Sequence, residues 1–134
     1  MSCKSAIYTV NSALPTIPVG GTIPAGTVIR RFGCNINLSG SGITLTGAGY
    51  YDVDASITAA PTAAGIVTVT LFKDGVAVPG ATASATATAA NDNVSLSINS
   101  LVRLQCCDDS STLTLVLTGT ESVINNASIV VEKL

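Results

Sequence analysis

Between Tyr50 and Ala59 the chain alternates without a break. Tyr51, Val53, Ala55, Ile57 and Ala59 fall at one parity, and Tyr50, Asp52, Asp54, Ser56 and Thr58 at the other. On a β-strand successive side chains point to opposite faces, whereas a helix gathers every third or fourth residue. A two-residue period with one apolar face therefore predicts a half-buried antiparallel strand. Asp52 and Asp54 must face water, because neighbouring carboxylates buried without partners are costly.

The same period runs through most of the chain. "SAIYTVN" opens with an apolar-rich strand. "ALPTIPVGGTIPAG" follows and reads as loop or edge structure, since proline cannot donate to a ladder. "TVIRRFGCNINL", Thr27 to Leu38, is a strand broken at Gly33; "SGSG" is a turn and "ITLTG" a short strand. "IVTVTLFKDGVAVPG" is a hairpin that turns at "KDG", with Val67, Val69 and Leu71 on one face. "ATASATATAA" is rich in helix-forming alanine. Yet Ala83, Ala85, Ala87 and Ala89 alternate strictly with Thr82, Ser84, Thr86 and Thr88, so a strand is expected.

"VSLSINSLVRLQ" is one strand or two, with Val94, Leu96 and Ile98 on one face. "TLTLVLTG" directs Leu113, Leu115 and Leu117 inward, "ESVINN" reads as a loop, and "ASIVVEKL" is the last strand. About ten short strands, turn signals every 8–12 residues or so and no helix define an antiparallel β-sandwich or barrel. The 134 residues form a single domain, 1–134, with residues 1–26 as a candidate N-terminal arm or anchor.

Charge narrows the partners. Only 10% of residues are charged and the net charge is −2, with Arg30-Arg31 the one adjacent basic pair. Nucleic acid requires a basic patch, so it is not an expected partner. No apolar run reaches membrane-spanning length, so no membrane is expected either. "MSCKSAIYTVN" carries no hydrophobic signal segment, which leads to the expectation of a protein made in the cytosol or released by another route. Cys3, Cys34, Cys106 and Cys107 are then expected to be reduced, partly buried thiols. With no CxxC spacing and no histidine, no metal site is expected.

The same absence argues against catalysis, because histidine is the usual acid–base group. Asp52 and Asp54 lie roughly 7 Å apart along a strand that rises about 3.3 Å per residue. A glycosidase would place two carboxylates so, but no aromatic platform accompanies them. Asp108 and Asp109, with Ser110 and Ser111, offer oxygens in a turn. They are too few for calcium, so a solvated polar turn is the expectation. Asn37, Asn93 and Asn126 begin N-x-S/T triplets, read as accidental without a secretion signal. No enzyme activity, catalytic residue or cofactor is expected.

The order of the pieces carries a resemblance. "GAGYYDVDASIT", "VTVTLFKDGVAVPG", a Ser/Thr/Ala strand, "STLTLVLTG" and a terminal "ASIVVEKL" follow one another across Thr27 to Leu134. In that order they resemble the globular heads of the tumour-necrosis-factor (TNF) and complement-head superfamily. The similarity is to the small bacterial branch typified by the C-terminal domain of the collagen-like glycoprotein of Bacillus spore surfaces. The resemblance implies a ten-stranded jelly roll assembled as a homotrimer, with Tyr50, Phe72 and Val130 as interface candidates.

Unlike spore and complement proteins, the sequence shows no Gly-X-Y stalk. The resemblance then implies a free-standing trimeric head. The function expected is that of a tailed-bacteriophage capsid decoration or fibre-tip protein. Its partner is the major capsid protein or another shell protein, and it is assembled in the host bacterial cytoplasm and located in the virion. The alternatives are a spore-surface or cell-surface trimer, and a carbohydrate- or ligand-binding module.

Overall fold

The computed structural model describes residues 4–13, 15–105 and 110–134. It has twelve strands: β1 (Ala6–Asn11), β2 (Thr16–Ile17), β3 (Thr22–Ile23), β4 (Thr27–Phe32), β5 (Ile36–Ser39), β6 (Gly42–Leu45), β7 (Gly49–Pro61), β8 (Gly65–Lys73), β9 (Val76–Ala87), β10 (Val94–Leu104), β11 (Ser111–Thr118) and β12 (Ser122–Lys133). They form two sheets, and every pairing is antiparallel. The first runs β10-β7-β12-β1-β4 with β2 beside β12; the second runs β5-β6-β11-β8-β9 with β3 beside β11. This is the all-β antiparallel jelly-roll sandwich expected, with twelve strands rather than ten because the Pro/Gly-rich segment adds the two-residue strands β2 and β3.

The alternation decides what lies inside. On β7, Tyr51, Val53, Ala55, Ile57 and Ala59 are buried, as the sequence predicts. On the facing sheet Val67, Val69 and Leu71 of β8 and Leu113, Leu115 and Leu117 of β11 meet them in one core. The alanine-rich run is a strand, β9. Small inward residues suit an edge where the two sheets converge, and β9 packs against β10 across the sandwich.

Two devices change the chain's direction. Asp74 and Gly75 take φ of 53° and 82° between β8 and β9, the doubly positive pair that a tight hairpin turn requires. Gly33, at φ 89°, lets the chain leave β4 in the first sheet and enter β5 in the second. A methyl group there would lie 2.2 Å from the Lys4 carbonyl oxygen. Just beyond it, Ser5 Oγ accepts hydrogen bonds from the Cys34 and Asn35 amides (3.1 and 3.0 Å).

"VSLSINSLVRLQ", read as one strand or two, is one strand, and two readings change. "ESVINN" is not a loop: Ser122–Asn126 belong to β12, and a bulge between Ile124 and Asn126 shifts the phase that alternation relies on. Cys34 is not a buried thiol. It stands on the exposed crossover bend rather than on an inward strand face, and it is disulfide-bonded. Cys3, Cys106, Cys107, Asp108 and Asp109 lie outside the described residues. β1 lies within the first sheet, between β12 and β4.

Candidate functional site

The two outer faces of the sandwich differ in chemistry, and the difference locates a candidate site. Outward residues of the first sheet line up in rows across its strands. Arg103 opposes Tyr50. The next row is Leu101, Asp52, Glu132, Ala6 and Phe32; the next is Asn99, Asp54, Val130, Tyr8 and Arg30; the next is Ser97, Ser56, Ser128, Val10 and Thr27. The face therefore grades from bulky apolar and charged groups at one end to hydroxyls at the other.

Most exposed large hydrophobic side chains among the described residues belong to this sheet: Tyr8, Ile29, Phe32, Tyr50 and Leu101, with Leu134 just past β12. Ile29 is pushed out by the bulge in β4. Leu134 is tied down by its amide, which donates to the Tyr50 carbonyl (2.9 Å). A depression of about 410 Å³ crosses the middle of the face, lined by Asp54, Ser56, Ser97, Asn99, Ser128 and Val130.

The polar groups here are fixed but not charge-paired. Asn99 Nδ2 donates to Asp54 Oδ1. The Arg103 guanidinium lies 5.9 Å from the centre of the Tyr50 ring, in cation–π reach. Arg31 turns away and donates from Nε to the Ile36 carbonyl (2.8 Å). No ion pair joins charged groups among the described residues.

The outer face of the second sheet is neutral over its central strands. Thr68 and Thr70 of β8 stand between Ser84 and Thr82 of β9 and Thr118 and Val116 of β11. Hydroxyls bond across the strands, Thr68 Oγ1 with Ser84 Oγ at 2.8 Å and Thr70 Oγ1 with Thr82 Oγ1 at 3.3 Å. Side-chain pairs of this kind hold a sheet together while keeping its surface wet.

The sequence-based interface candidates divide between these faces. Tyr50 and Val130 stand on the outer face of the first sheet, and Phe72, opposite Thr114 and Ala77, on that of the second. Asp52 and Asp54 share the first face, with no aromatic ring stacked between them in register. No group of three His, Cys, Asp or Glu side chains able to hold a metal occurs among the described residues. Asn37, Asn93 and Asn126 are exposed, and Asn93 accepts a hydrogen bond from Asn125 (2.6 Å). Sequence reasoning missed Tyr8, Phe32 and Leu101 as surface groups. Their parity was legible, but not that β1, β4 and β10 sit side by side with β7 and β12.

Solved structures share this arrangement of strands. Murine APRIL superimposes with a TM-score of 0.70 at 10% identity, covering 98% of this chain and 99% of that one. The fold is a TNF/C1q-type jelly roll. Eiger TNF from S. frugiperda gives 0.67 at 11% identity over 97% and 91% of the two chains. The globular domain of zebrafish complement 1qA gives 0.64 at 7% over 96% and 95%. No family model matches the sequence, and no curated protein is similar to it in sequence.

Proposed function

We propose that this jelly roll is a structural module that works by self-association, as a homotrimer seated on a larger particle. The observation that carries the reading is the concentration of exposed apolar side chains on one face, from Tyr50 and Leu101 to Tyr8 and Phe32. Large apolar side chains gathered on one outer face, even interleaved with charged groups, favour a contact with another macromolecule. A chain with 10% charged residues has little else with which to keep such a face in water. The likeness to TNF and C1q heads, none of them named for catalysis, supports a binding or structural role.

The particle we propose is a tailed-bacteriophage head, with the trimer as a decoration or auxiliary protein on its shell; a fibre tip is the neighbouring assignment. The resemblance of the motif order to the bacterial branch, together with the absence of a Gly-X-Y repeat from the sequence, is what favours this setting. The experiment has two stages. Light scattering is expected to give the mass of three chains at micromolar and at nanomolar concentration; a single-chain mass overturns the trimer. The purified trimer is then mixed with phage capsids stripped of auxiliary proteins and sedimented. Co-sedimentation is the expected result, and a trimer left in the supernatant but retained on spore surfaces overturns the capsid assignment.

A further inference from the structure

One corner of the sandwich is held more lightly than the rest. β4 ends the first sheet and pairs only with β1; β5 ends the second and pairs only with β6. Every residue of β4 except Val28 is exposed, so the strand buries little against the core. Segments with few buried apolar groups and solvent-exposed backbone bonds open locally before the whole domain does. Opening here would strip β1 and β6 of their outer neighbours and leave two sheet edges free to pair with other chains.

The bend between these two strands carries a fastening. Cys34 stands on it, exposed and disulfide-bonded. Hydrogen bonds fix the bend around that cysteine: Ser5 Oγ accepts from the Cys34 and Asn35 amides, and Lys133 Nζ donates to Asn35 Oδ1 (3.0 Å). The second sulfur comes from Cys3, Cys106 or Cys107. Strand register selects Cys3. Ala6 faces Phe32 across β1 and β4, and two steps further along each chain Lys4 comes level with Cys34. The close approach of Gly33 to the Lys4 carbonyl shows that the two chains stay together past that last pair. Cys3 is the next residue, with its Cα about 3.8 Å from that of Lys4, and a disulfide spans Cα separations of about 4.4–6.8 Å. Cys106 and Cys107 instead fall between β10, at the far edge of the first sheet, and β11, which β6 separates from β5. The start of β1 is itself anchored, since the Lys133 amide donates to the Ser5 carbonyl (2.9 Å).

We propose that Cys34 and Cys3 form a redox latch, which holds the β4–β5 corner shut in an oxidising environment and releases it in a reducing one. Closure is exchange with a small-molecule disulfide. The Cys34 and Cys3 thiols give up two protons and two electrons as the bond between their sulfurs forms. The small disulfide's own S–S bond breaks, and it leaves as two thiols that carry those protons and electrons. A dithiol runs the same exchange backwards. Exposed disulfides are the ones that exchange readily with reagents in solution. The cytosol keeps thiols reduced, and extracellular settings keep them oxidised. The corner is therefore loose while the chain stays in a reducing compartment and fixed once it leaves. The latch depends on neither the trimer nor the particle of the proposed function.

Hydrogen exchange on the full chain, read by mass spectrometry with and without a phosphine reductant, tests the latch without any substitution. Reduction is expected to speed exchange across residues 27–39 at least about tenfold, while amides of β7 and β12 change by less than about twofold. Cys34→Ser and Cys3→Ser should each exchange like the reduced chain whether or not reductant is present. A chain carrying both Cys106→Ser and Cys107→Ser should respond as the original does. Circular dichroism checks that each variant keeps the sandwich. Exchange across residues 27–39 that ignores the reductant overturns the latch. Equal acceleration in every strand also overturns it, because the bond would then staple the whole fold rather than one corner. A Cys3→Ser variant that still responds to reductant as the original chain does overturns the pairing with Cys3.

Discussion

Individual residues tie the core to its surroundings, and Tyr51 shows how. Its ring is fully buried, and its hydroxyl lies 2.8 and 2.7 Å from the Thr46 and Gly47 carbonyl oxygens. The single proton can serve one of them at a time, so the group is held as a donor and needs to stay neutral. Burial pushes its pKa above the usual tyrosine value of 10.0. The folded state therefore keeps a proton that the unfolded chain loses as pH passes that value. The stabilisation is complete below pH 10 and fades as pH climbs towards the raised folded value. Denaturant melts are expected to show stability falling above pH 10 more steeply in the original chain than in Tyr51→Phe. That variant should itself lose about 1–2 kcal/mol at neutral pH through the stranded carbonyls. Val53 tests the face assignment more harshly. It is buried between the sheets, and Val53→Asp places a lone carboxylate there at about 3–5 kcal/mol. Loss of the cooperative thermal transition is expected, and a variant with unchanged Tm would mean that β7 faces the other way.

Elements are held by their ends as well as by their faces. The β4–β5 crossover depends on Gly33 for a backbone angle that other residues resist, and on Ser5 for two amide hydrogen bonds. Ser5→Ala leaves both amides without that acceptor and should cost about 2 kcal/mol, or roughly 8 °C in Tm for a domain of this size. Gly33→Ala should cost more, because the added methyl meets a backbone carbonyl that cannot swing away. Calorimetry on the two variants checks the order. The same segment shows what the sequence could and could not reveal. The break at Gly33 was legible, because glycine between two apolar-periodic runs marks a turn. The disulfide at Cys34 was not, because pairing depends on which cysteines the fold brings within bonding distance. Similarly, β7, β8 and β11 announced their faces through unbroken alternation. The start of β12 read as a loop because the bulge before Asn126 moves its outward residues out of step. The fold class thus follows from local periodicity. The candidate face arises from strands that neighbour one another only after the chain has crossed between sheets.

For the whole molecule, the two outer faces make opposite demands on water, and this yields the last prediction. The second sheet offers threonine and serine hydroxyls that bond to one another and to solvent, so covering it gains little. The first offers Tyr8, Phe32, Tyr50 and Leu101, each already about half buried, and covering the exposed part of two such side chains is worth about 1.5–3 kcal/mol. Val130 stands amid the first face, beside Asp54 and Tyr8, and Phe72 amid the second. Both are only partly buried, so changing either leaves the core filled. Val130→Asp adds a carboxylate beside Asp54 and would bury it uncompensated in any contact formed by this face. Light scattering on that variant is expected to give single chains at micromolar concentration, with the protomer's Tm within a few degrees of the dissociated original. Phe72→Ser is expected to remain three chains. The reverse result would place the contact on the threonine face. The polar second sheet would then have to associate through its few larger side chains, Phe72 and Ile66, and the exposed side chains of the first sheet would be left to face the particle. The two substitutions thus decide which side of the sandwich meets its own copies and which side is turned outward.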